Sequence, residues 1–183
     1  MRDPSRITVE EFFAWHEHVE GRYELVDGHI VPHPDFVTPQ GLAAPSNEHA
    51  AILANLGFAL MPQLEPPCRF YAGAGVAVDL VSANVPDAAI SCDPDDRTRK
   101  GGLLRPAFVF EILSLSTKRI DRGRKVTDYL AIESVEAYVV LDPEREAISV
   151  YRRDRGPETM ERATGVSAIP LSASLRLPLS VFD

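Results

Sequence analysis

The hydrophobic and polar positions along the chain mark a series of short helices and strands. Thr8-Val9-Glu10-Glu11 reads as a capping box, with Thr8 as N-cap and Glu11 at the third helical position. The helix it opens runs to about His18 and takes its apolar side from Phe12, Phe13 and Trp15. Arg22 to Val31 (RYELVDGHIV) holds two strand-type runs around Asp27-Gly28, a hairpin signal because a type I′ turn needs positive φ at both central positions. Glu24 falls on the first of these strands, opposite in face to Tyr23 and Leu25, and read alone it is a solvated strand position. His33 to Pro45 carries several prolines and little periodicity, so it reads as a loop. Ser46-Asn47 caps a helix expected over Glu48 to Leu60, with Ile52, Leu53, Leu56 and Leu60 on its apolar face and Pro62, Pro66 and Pro67 beyond its end. His49 lies in its first turn, where an isolated histidine is ordinarily structural or exposed.

Arg69 to Leu80 and Pro86 to Cys92 read as successive strands, with Val81 to Val85 as the turn between them. Asp87 starts the second and shares a face with Ala89 and Ser91; by itself it is a strand-end acid, and Asp79 on the preceding strand is a rival carboxylate. Asp93 to Gly102 is polar and expected to be a mobile loop. Ala107 to Leu113 is apolar at nearly every position, the pattern of a strand covered on both faces. Glu111 interrupts it, and an ionised carboxylate there needs a cation, hydrogen bonds or a raised pKa. Ser114, Ser116 and Thr117 end the strand, and the run from Asp121 to Lys125 starts a helix on which Asp121, Lys125 and Tyr129 share a face. Ala137 to Leu141 and Ala147 to Tyr151 form a hairpin with a longer loop. Arg152 to Gly165 is polar without an assigned element, and the apolar tail LRLPLSVFD returns to the body.

Composition narrows the class. A chain of 183 residues with 45% hydrophobic and 25% charged positions fits one soluble globular domain spanning 1–183. Cys68 and Cys92 are too few for a disulfide framework and show no metal-ligand spacing. No run approaches a membrane span, and the acidic N-terminal stretch is unlike a signal peptide, so a cytoplasmic location is expected. The net charge of −8 argues against a general nucleic-acid coat protein.

Asp87 and Glu111 on neighbouring strands can bring two carboxylates within a few ångströms. Bare, they repel by several kcal/mol at an effective dielectric of ~20. A hard divalent cation relieves that repulsion, and oxygen donors suit Mg²⁺ or Mn²⁺. A lysine from the following helix can orient or deprotonate a water and offset charge on a pentacovalent phosphate.

The order Pro86-Asp87, then Glu111 on an apolar strand, resembles the PD-(D/E)xK nuclease superfamily. More closely, the chain resembles the Uma2 family, of restriction-endonuclease type. The matching stretches are Thr8 to Phe12, Arg22 to Gly28, His49, Pro86-Asp87, Phe110 to Ser114 with Ser116-Thr117, the Asp121, Lys125 and Tyr129 spacing, and Glu136 to Tyr138 with Asp142-Pro143. The resemblance implies an α/β fold, a restriction-endonuclease-like mixed sheet flanked by helices, with an N-terminal helix and hairpin. It implies Asp87 and Glu111 as metal ligands, with Glu24 and His49 as further members of the catalytic site. The superfamily lysine is expected two positions after the acid, where this chain has Leu113; the resemblance places the role on Lys125 instead, with Lys118 as the rival. The implied function is Mg²⁺- or Mn²⁺-dependent hydrolysis of DNA phosphodiester bonds. The alternative is a catalytically weak or inactive nuclease fold serving as a DNA-binding or interaction module, and a more remote one is a phosphohydrolase of small substrates. DNA is the expected partner and no membrane is involved. No recognition domain is visible, so sequence specificity is expected to be low or to arise from the geometry of a homodimer.

Overall fold

The computed structural model describes residues 6–33, 37–38, 41–42, 46–114, 123–165 and 167–183. Asp121, Lys118, Ser116 and Thr117 therefore lie outside the described residues. The capping box forms as expected: Thr8 accepts from the Glu11 N–H while the Glu11 side chain accepts from the Thr8 N–H, opening α1 (Val9–His16). Asp27 and Gly28 take φ of 49° and 81° between β1 (Tyr23–Val26) and β2 (His29–Pro32). The region read as a bare loop after His33 contains one short antiparallel pair, β3 (Val37–Thr38) and β4 (Gly41–Leu42). Ser46 caps α2 (Asn47–Leu60) through the His49 N–H.

The expected long strand at Arg69 is broken. β5 (Arg69–Ala72) stops before Gly73, and the chain then makes two short pieces, β6 (Val76–Ala77) and β7 (Ala83–Asn84). The predicted turn at Val81 to Val85 thus contains a strand that joins a different sheet, in the order β2-β1-β7-β6. Asp79, the rival carboxylate, is exposed and accepts the Val81 N–H at 2.8 Å, closing a turn.

β8 (Ala88–Ser91), β9 (Pro106–Ile112), β10 (Ala137–Asp142), β11 (Ala147–Arg152) and β12 (Arg155–Glu161) complete a six-stranded mixed sheet with β5, ordered β12-β11-β10-β9-β8-β5. β9 and β10 pair in parallel, and α3 (Arg124–Ala131) lies between them in sequence. β12 falls within the polar stretch that showed no strand pattern; it is an edge strand, largely exposed, so no burial forces apolar alternation on it. β13 (Ala168–Pro170) and β14 (Arg176–Pro178) pair near the tail, whose Leu177, Leu179 and Val181 are buried as expected.

Helices cover both faces of the large sheet. On one, Ile52, Leu56 and Leu60 of α2 join Ala88, Ile90, Phe108, Phe110 and Ile112. On the other, Tyr129 of α3 packs with Ala89, Val109, Tyr138 and Val140. The small sheet has its own core, in which Phe12 and Phe13 of α1 meet Leu25 and Ala83. Gly102 admits the Phe13 ring: a Cβ there would stand 2.4 Å from it.

The loop from Asp93 to Gly102 is anchored rather than loose. Asp96 is buried and accepts from the Ser91 hydroxyl at 2.7 Å and from the Leu104 and Arg105 N–H groups at 2.9 and 3.1 Å. Cys68 and Cys92 form a disulfide bridging the ends of β5 and β8.

Candidate active site

Ala88 pairs with Phe110 in the antiparallel β8–β9 ladder, which sets Asp87 and Glu111 one step further along. Alternation then points both carboxylates to the face shared by Ala89 and Val109, the α3 side. Asp87 is 4% exposed and Glu111 2% exposed.

Three donors hold Asp87. Arg22 Nη1 donates to Oδ1 at 3.1 Å, His49 Nε2 lies 3.2 Å from the same oxygen, and the Ile112 N–H donates to Oδ2 at 2.8 Å. Burial pushes the Asp87 pKa up, but the hydrogen bond from His49, the Arg22 charge and the Ile112 N–H outweigh it. The carboxyl is held well below the usual range. The other branch of the Arg22 guanidinium donates to the Val85 carbonyl, where the chain passes from β7 toward β8. Burial lowers the Arg22 pKa, yet Asp87 and then Glu111 more than reverse this, and the group lies above the ordinary arginine value.

Lys125 holds the second half. It is 1% exposed, and its Nζ donates to Glu111 Oε1 at 2.8 Å and lies 3.1 Å from Glu24 Oε1. The spacing of Lys125 and Tyr129 on one helical face does turn both toward the sheet. Tyr129 OH donates to Glu111 Oε1 at 3.2 Å; burial, then the Glu111 charge, raise its pKa well above the phenol value.

Glu24 corrects the solvated-face reading. Leu25 faces α1, but the opposite face of the small sheet is also covered, and Glu24 is only 3% exposed. Arg124 Nη2 donates to Glu24 Oε2 at 3.2 Å, and His33 Nε2 stands 3.8 Å from Oε1. Arg124 continues to Asp128 and Asn84, which also bond each other at 3.2 Å.

Glu24, His49, Asp87, Glu111 and Lys125 are therefore all brought into one network. Sequence reasoning passed over Arg22, His33 and Arg124. The signal for the first two was available: Tyr23 pairs with Pro32 across the hairpin, so Arg22 and His33 are the next opposed positions, on the face of Glu24. Among the described residues no group of three His, Cys, Asp or Glu side chains gathers closely enough to hold a metal ion among themselves. Asp87 and Glu111 offer a pair of hard carboxylate donors, a set suited to Mg²⁺, which usually takes one or two protein carboxylates and fills its shell with water and phosphate oxygens.

Comparison with known proteins follows the same lines. A crystal structure described as a "putative nuclease belonging to DUF820" from Anabaena variabilis superposes with a TM-score of 0.71 at 18% identity, covering 96% of this chain and 97% of that one, so the fold is shared. The "Uncharacterized protein slr1290" of Synechocystis sp. is 24% identical over 152 residues, 81% of this chain and 75% of that protein. Residues 9–180 match the family model Uma2, described as "Putative restriction endonuclease", and the chain belongs to the Uma2 family.

Proposed function

We propose that this chain is a divalent-metal-dependent endonuclease that hydrolyses DNA phosphodiester bonds. The observation that carries the reading is Lys125, buried between Glu111 and Glu24 on the sheet face that also presents Asp87. The family description and the nuclease description of the solved relative support the reaction class. Asp87 and Glu111 would hold the cation, Mg²⁺ or Mn²⁺ by their oxygen chemistry. Once bound, it would supply Lewis-acid stabilisation at the phosphoryl group and a more acidic water. Lys125 places a fixed positive charge beside that position, able to orient a water or offset charge on the phosphate. Glu24 and Arg124 hold the lysine end of the network, and Tyr129 fixes the Glu111 carboxylate. His49 fixes Asp87 in its rotamer. No described helix is long and apolar enough to cross a membrane. A cytoplasmic location and a homodimer on DNA belong to the same reading.

A second reading is a nuclease fold with weak or no catalysis that binds DNA. The hold of Arg22 on Asp87 favours it, because a cation must compete there. Incubation of supercoiled plasmid with Mg²⁺ or Mn²⁺ tests both readings beside an Asp87→Ala control. Metal-dependent nicking or linearisation that Asp87→Ala lacks supports the nuclease. Retained DNA binding with no cleavage under either metal supports the binding module.

A further inference from the structure

We propose that Arg22 is the resident counter-ion of this site, seated on the Asp87 carboxylate so that a divalent cation has to displace it. The inference rests on the reading of Asp87 as a cation ligand.

Both oxygens of Asp87 are engaged: Oδ1 by Arg22 and His49, Oδ2 by the Ile112 N–H. The Arg22 guanidinium also feels Glu111, so it lies within electrostatic reach of both acids assigned to the cation. Asp87, Glu111 and Glu24 already have Arg22, Lys125 and Arg124 as cationic partners, the last shared with Asp128. Two more positive charges in so buried a place are costly unless a cation leaves or an anion arrives. Lys125 has no exit: its side chain is 2% exposed and two acids grip it. Arg22 does. Its side chain is 13% exposed and stands one residue ahead of β1, at the edge of the site, where it also donates to the Val85 carbonyl. A displaced guanidinium suits an incoming phosphate diester, whose oxygens it can take in pairs. Arg22 is thus a positioning residue with two alternative anions, Asp87 before the cation binds and the substrate backbone afterwards.

Calorimetric titration with Mn²⁺ alone, without DNA, tests the competition in the wild type, Arg22→Gln, Arg22→Lys and Asp87→Ala. Circular dichroism of each variant checks folding. The expected result is that Arg22→Gln binds Mn²⁺ at least about tenfold tighter than the wild type, that Arg22→Lys falls between, and that Asp87→Ala binds least. Equal or weaker binding by Arg22→Gln overturns the competition while leaving Asp87 as a ligand. Identical behaviour of all four proteins overturns the ligand assignment, and the inference with it. A measurement on the unmutated protein guards against misfolded variants. The guanidinium NMR signal of Arg22, identified by its absence in Arg22→Lys, should move to the position of a solvent-exposed arginine on saturation with Mg²⁺. A signal unchanged at saturation defeats the proposal.

Discussion

The two faces of the large sheet use the same strands for opposite purposes. Phe108, Phe110 and Ile112 point from β9 into an apolar layer under α2. Glu111, between the last two of them, points the other way, where α3 answers it with a buried lysine and a tyrosine hydroxyl. An apolar layer loses only packing when a residue is shortened. A charged layer loses compensation, because the partner left behind remains ionised in a place that cannot solvate it. The two faces should therefore fail differently, in size and in response to pH.

The largest expected effect is Lys125→Met. It leaves Glu111 and Glu24 without their shared cation and should cost about 3–5 kcal/mol, the usual penalty for breaking a buried pair from one side. With the ammonium gone, burial favours the protonated form of Glu111, so the variant should recover stability as pH falls through the carboxylate range. Urea melts at several pH values would show this, and a loss constant with pH would contradict it. Leu56→Ala on the other face should cost about 2–5 kcal/mol through the cavity it opens, equally at every pH.

The next effect is subtler and concerns Asp87. Its folded pKa is depressed, so the stability it contributes is complete above the unfolded value of ~3.9 and is lost as pH falls through the folded value. Asp87→Asn should therefore show a shallower acid decline than the wild type below about pH 4. Parallel declines would mean that the three donors on Asp87 do not favour its ionised form on balance. The smallest effect is Lys118→Ala, expected to leave cleavage at saturating DNA intact. It should reduce the slope of log binding constant against log salt by about one. Loss of the chemical step there, with the step retained in Lys125→Ala, would exchange the roles of the two lysines.

Much of the molecule could be read locally. The capping box at Thr8, the Asp27-Gly28 turn and the apolar run around Glu111 each carry their cause within a few residues, and all three form. The spacing of Lys125 and Tyr129 also sufficed, because a helix repeats whatever it packs on. What escaped depends on distance. Arg22 meets Asp87 across 65 positions, and neither flank of the arginine announces that partner. Glu24 alternates as a half-exposed strand residue should; its burial comes from α3, a hundred positions on. β7 is two residues long, too short for any periodicity, and exists because β1 and β6 offer it edges. Asp96 resembles its exposed neighbours in composition and differs in the Ser91 hydroxyl and the backbone N–H groups that converge on it.

A lysine two residues from its acid on one strand has its reach fixed by the pleat. Here the lysine rides on α3, and the depth of that helix is set one turn later by Tyr129 against Tyr138, whose ring centres are 5.0 Å apart. A change at Tyr138 would slide the ammonium group relative to Glu111 while leaving the lysine and both acids in the sequence. The placement of the ammonium group thus depends on a core contact, and repacking under α3 shifts it without touching either carboxylate.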